Sequence, residues 1–135
     1  MTKFFISPGD PAGIGPEVTL KALSKNKKIQ NNFILAGDKN LYQDLINLNN
    51  LDLNLIEEDS NDEGVIFKHF PLENNVSIGN PDVGNANYII DILSHGALGC
   101  LNHEFKGLIT GPINKELINQ SGFEFSGHTE FLADI

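Results

Sequence analysis

Apolar and polar residues follow two rhythms along this chain. Short apolar runs occur at Phe4-Phe5-Ile6, Phe33 to Ala36, Leu53 to Ile56, Val65 to Phe67 and within Lys106 to Thr110. Turn-forming Gly, Pro, Asn or Asp residues flank most of them, which predicts strands. Between the runs, apolar residues fall at helical spacing. Gly15-Pro16-Glu17 reads as a helix start, with proline in the first turn and an acid at the positive end of the helix dipole. Val18, Leu20, Ala22 and Leu23 supply its apolar face, and it ends in the Lys25–Lys28 region. Leu41, Tyr42, Leu45 and Ile46 predict a second helix. Asn80-Pro81-Asp82 opens the longest one, with Val83, Ala86, Ile90, Leu93 and Ala97 on one stripe. Short helices are predicted from about Asn114 and from near Thr129, and Pro71 to Asp82 reads as irregular. This alternation predicts an α/β fold with an open, largely parallel sheet and flanking helices.

Length places residues 1–135 in one domain, large enough for a real core. The net charge of -9 argues against nucleic-acid binding. All nine basic residues are lysine, so the arginine fork favoured for phosphate is absent. The single cysteine, Cys100, excludes an internal disulfide and is expected in the core. Met1-Thr2-Lys3 leads straight into the first strand, with no signal peptide and no membrane-length apolar run. A soluble cytoplasmic protein without membrane contact is expected. The acidic loop Glu57 to Glu63 is expected to be solvated, and His69, His95 and His103 lack metal-ligand spacing.

Candidate chemistry concentrates in three segments. Ser7 to Glu17 packs three glycines and three prolines into eleven residues between a strand and a helix. That composition specifies one unusual backbone path at a strand's carboxyl end, where α/β folds bind ligands. Thr110-Gly111-Pro112-Ile113-Asn114-Lys115 makes a second such junction. Gly127-His128-Thr129-Glu130-Phe131 puts a histidine and a threonine at a helix start, where free N–H groups favour an anion. Thr129 is either a plain N-cap or a ligand contact. Asp10 either bonds N–H groups of its own loop or meets a ligand. Lys115 sits in a helix's first turn against the dipole, as a surface residue or a site residue. There is no dinucleotide fingerprint, Walker loop or nucleophile elbow.

Taken in order, these three motifs closely resemble those of the 4-hydroxythreonine-4-phosphate dehydrogenase family of vitamin B6 synthesis, and the resemblance runs from Lys3 to Ile135. Gly84 to Tyr88 and Gly99-Cys100-Leu101 fit the family's long helix. The resemblance implies a fold like isocitrate and isopropylmalate dehydrogenases: two α/β domains with the active site between them, in a homodimer. Members are more than twice as long, so residues 1–135 would be most of the first domain and the entry to the second. It implies NAD-dependent oxidation of a phosphorylated amino acid to a β-keto acid that loses carbon dioxide, assisted by a divalent metal (Zn, Mg or Co). His128 and Thr129 match the family's substrate-binding pair. Asp10 and Lys115 match motif positions without a definite contact, as residues of a possible active-site loop. No catalytic residue is assigned with certainty. The metal-binding histidines and most of the NAD site fall downstream of these motifs. Two alternatives stay open: a relative acting on another phosphorylated hydroxy acid, such as a four-carbon sugar-acid phosphate, and a small-molecule-binding module without catalysis. A lone first domain is also expected to self-associate.

Overall fold

A computed structural model describes residues 3–135. Met1 and Thr2, read above as leading into the first strand, lie outside the described residues. Five strands form one parallel sheet: β1 (Lys3–Ser7), β2 (Phe33–Gly37), β3 (Leu55–Ile56), β4 (Val65–His69) and β5 (Phe105–Thr110). Their spatial order is β3-β4-β2-β1-β5. Phe5 stands opposite Ile34 in β2 and Leu108 in β5. The helices are α1 (Gly15–Lys25), α2 (Lys39–Leu48), α3 (Ala86–Leu101), α4 (Lys115–Gln120) and α5 (His128–Ala133).

The apolar runs form strands because both faces of the sheet are covered, so neither face needs polar residues. Side chains alternate between the faces. Ile6, Leu35, Val65 and Phe67 join Leu20 and Leu23 of α1 and Tyr42, Leu45 and Ile46 of α2 in one core. Phe5, Ile34, Ala36 and Ile66 join α3, Leu117 and Ile118 of α4, and Phe125 in the other. Each fully buried Leu, Ile or Phe contributes about 1.5–3 kcal/mol of transfer free energy. Asp38 caps α2, accepting from the N–H groups of Asn40 and Leu41, and its other oxygen holds the N–H of Leu72.

Several local expectations differ from the fold. Val18 is 57% exposed and Ala22 is exposed, so α1 buries only Leu20 and Leu23 of the expected apolar face. The physical reason is the sheet order: β5 is an edge strand, and α1 packs over β1 and β2 rather than across β5. Val83 lies in a 3-10 turn (Val83–Asn85), because the Asp82 carboxylate accepts from Gly84 N–H and tightens the entry. The α3 stripe then holds, with Ala86, Ile90, Leu93 and Ala97 all buried. Strand pairing at 53–56 shrinks to Leu55–Ile56, although Leu53 is buried. Cys100 is partly exposed near the end of α3 rather than sealed in the core. The final helix starts at His128, one residue before the expected Thr129. Glu57–Asp59 and Asn61–Glu63 are exposed as expected, and Pro71–Asp82 forms no helix or strand. No helix among the described residues is long and apolar enough to cross a membrane.

Candidate functional site

The strand order reverses between β1 and β5: β2 follows β1 on one side, while β5 lies on the other. In open α/β sheets ligands bind at such a switch point, beyond the strands' carboxyl ends. Here the loops leaving β1 and β5 meet there and are joined backbone to backbone. Asp10 N–H donates to the Pro112 carbonyl at 3.0 Å, and Gly111 N–H donates to the Ser7 carbonyl at 2.7 Å. The contact is so close that only glycine fits. A Cβ on Gly9 would lie 2.2 Å from the Pro112 oxygen, and one on Gly111 would lie 2.0 Å from the Pro8 oxygen. Gly9 also has φ +89°, in the region that disfavours side chains. The irregular stretch Pro71–Asp82, which follows β4, joins through Gly79 N–H, which donates to the Ala12 carbonyl at 2.8 Å. The glycine-rich loop therefore fastens the carboxyl edge of the sheet. Pro16, in the first turn of α1, has no N–H to offer there.

Asp10 belongs to this joint. It is 6% exposed, and its Oδ1 accepts from Ala12 N–H at 2.8 Å. Burial pushes its pKa up, opposed by the hydrogen bond from Ala12. The first of the two readings offered for Asp10, a bond within its own loop, is the contact it makes.

Lys115, Gly127 and His128 come together at the starts of α4 and α5. Asn114 caps α4, its Oδ1 accepting from Leu117 N–H at 3.1 Å, and Lys115 is the first helical residue, exposed. Its chain runs toward the α5 entry, where a Cβ on Gly127 would lie 4.0 Å from Lys115 Cδ and 3.2 Å from Glu130 Oε2. Gly127 is the N-cap residue of α5, with φ 147° and ψ 175°. Thr129 is therefore not the N-cap, which overturns that one of its two readings, and its side chain is exposed. His128 packs edge-on to Phe125, with ring centroids 6.0 Å apart. Its Nε2 is buried and has no hydrogen-bond partner among the described residues. A buried imidazole nitrogen without a partner is costly, which suits a ligand group arriving there.

The other histidines do different work. His69 Nδ1 accepts from Lys39 N–H at 3.1 Å, and His103 sits exposed in a turn at φ 61°. His95 lies among the rings of Phe5, Phe70 and Phe105. Burial lowers its pKa, helped by Lys68 and opposed by Glu104. No group of three His, Cys, Asp or Glu side chains among the described residues is placed to hold a metal. No sequence pattern pointed to Asn119, whose side chain holds the backbone of Phe125 from six residues away. Only the folded turn brings them together.

A protein-family model, "Pyridoxal phosphate biosynthetic protein PdxA", matches residues 28–135. Curated relatives extend the match through the first glycine loop. A 4-hydroxythreonine-4-phosphate dehydrogenase from Vibrio parahaemolyticus is 33% identical over 98% of this chain and 41% of its own length. One from Enterobacter sp. is 34% identical over 96% of this chain and 41% of its own length. The chain thus spans about two-fifths of the length of the curated relatives it matches. Among solved structures, a putative 4-hydroxythreonine-4-phosphate dehydrogenase from Salmonella typhimurium superposes with TM-score 0.86 at 27% identity, covering 99% of this chain and 44% of that one. The Klebsiella pneumoniae 4-hydroxythreonine-4-phosphate dehydrogenase, at 22% identity and TM-score 0.88, shares the fold over 99% of this chain and 44% of its own.

Proposed function

The chain belongs to the pyridoxal phosphate biosynthetic PdxA family, and on that premise we propose that it is the N-terminal portion of an NAD- and divalent-metal-dependent dehydrogenase acting on 4-hydroxythreonine 4-phosphate. The complete enzyme would be a cytoplasmic homodimer. Bound NAD would accept the hydride of the carbinol carbon, with the hydroxyl proton released. The product is a ketone β to the carboxylate. Its C–C bond to the carboxylate then breaks, carbon dioxide leaves, and a proton takes its place.

This chain's share is substrate contact. The observation that carries the reading is His128 Nε2, buried and unpartnered at a turn that only glycine makes readily. That nitrogen takes one hydrogen bond with a substrate hydroxyl or phosphate oxygen. The exposed Thr129 hydroxyl beside it offers a second, and the exposed Lys115 ammonium supplies positive charge for the phosphate or carboxylate. Asp10, whose Oδ1 accepts from Ala12 N–H, shapes the loop at the edge of the site. The metal ligands and most NAD contacts would lie in the part of the relatives' length that this chain does not match.

Nuclear magnetic resonance of the imidazole signals during titration with 4-hydroxythreonine 4-phosphate tests the reading. A saturable shift at His128, and no NADH from this chain with NAD and metal, is the expected result. NADH formation by the chain alone, or a response confined to His69, His95 or His103, contradicts it.

A further inference from the structure

Helices α4 and α5 are six residues each, too short to be stable alone. They are joined by the Ser121–Gly127 link, which contains Gly122 and Gly127 at positive φ and forms no strand. One side chain crosses this link. Asn119 Nδ2 donates to the Phe125 carbonyl at 2.7 Å, and Phe125 N–H donates to Asn119 Oδ1 at 2.6 Å. A single amide thus satisfies both backbone groups of Phe125, as a neighbouring strand would. Phe125 is 3% exposed, and its ring contacts His128 at 6.0 Å and Phe131 at 5.7 Å between centroids.

We infer that Asn119 is a positioning residue for His128: it fixes the backbone of Phe125, and the Phe125 ring fixes the imidazole. The inference rests on His128 being the substrate contact proposed above. The chemistry demands an amide. Aspartate keeps the acceptor for Phe125 N–H but sets a charged oxygen against the Phe125 carbonyl. Leucine has nearly the same shape and makes neither bond. Either change frees the turn and lets the imidazole rotate.

The test uses the purified chain and compares imidazole signals of the wild type, Asn119→Leu and Asn119→Asp. His95, packed among Phe5, Phe70 and Phe105, is the internal control. The expected result is a displaced His128 signal in both variants, with His95 unmoved. Binding of 4-hydroxythreonine 4-phosphate is expected to weaken about tenfold, the effect of one lost positioning hydrogen bond. An unmoved His128 signal overturns the inference. So does a shift of His95 as large as that of His128, or unfolding of both variants, because Asn119 would then be a general stability residue. If His128 moves in the variants but the wild type ignores the ligand, the clamp stands and the substrate reading falls.

Discussion

Replacing Gly9 by alanine probes the joint that builds the carboxyl edge of the sheet. Two effects act together there. At φ +89° an alanine costs about 1 kcal/mol or more in backbone strain. Its Cβ would also lie 2.2 Å from the Pro112 oxygen, so the two loops must part. Parting them stretches the Asp10–Pro112 and Gly111–Ser7 hydrogen bonds, at 3.0 and 2.7 Å. Each is worth about 1 kcal/mol net. The expected total is about 3 kcal/mol, a large share of a domain's stability. Gly79 provides the control: its φ is +84°, and nothing lies within 4 Å of a Cβ there. Gly79→Ala is therefore expected to cost about 1 kcal/mol from strain alone. The difference of about 2 kcal/mol is roughly a thirtyfold change in the folding equilibrium. Urea unfolding followed by far-ultraviolet circular dichroism measures both variants, with unchanged slopes confirming that only stability moved. Equal costs for the two substitutions would refute the joint.

Three further outcomes are expected. Burial raises the Asp10 pKa, so its contribution is fully present below the ordinary value of 3.8 and lost as pH rises through the folded value. Asp10→Asn, which keeps an acceptor for Ala12, is expected to be at least as stable as the wild type at pH 7, and to lose that advantage in acid melts below 3.8. The His95 pKa is lowered, chiefly by burial, so its contribution is present above 6.5 and lost on acidification. His95→Gln is accordingly expected to flatten the stability profile as pH falls below 6.5; an unchanged slope contradicts this. Val18, 57% exposed beside Ile14 and Ile109 along an apolar groove, predicts self-association. Val18→Asp is expected to raise the monomer fraction in light scattering, with little change in melting temperature.

What the sequence disclosed depended on how local each cause was. Phe33 to Ala36 and Val65 to Phe67 were legible as strands because burial on both faces removes polar residues from the run. The α3 stripe was legible because Ile90, Leu93 and Ala97 all meet one core or its rim. Val18 falls on the apolar stripe of α1 yet lies exposed, because periodicity reveals an apolar face but not whether the sheet extends far enough to cover it. Thr129 was offered as a cap because threonine caps many helices, yet the turn at Gly127 took that position. His128 stood out only through the order of three glycine motifs. Its unpartnered Nε2 is a tertiary fact, as is the reach of Asn119 across its loop.

NADH formation by a hybrid dehydrogenase tests the central claim most directly. In it, residues 1–135 replace the matched 41% of the Vibrio parahaemolyticus relative. The account predicts that the hybrid oxidises 4-hydroxythreonine 4-phosphate with added divalent metal, and that His128→Ala within it lowers kcat/KM about 10- to 100-fold. A folded hybrid that makes no NADH where the parent does, or one indifferent to His128→Ala, contradicts it.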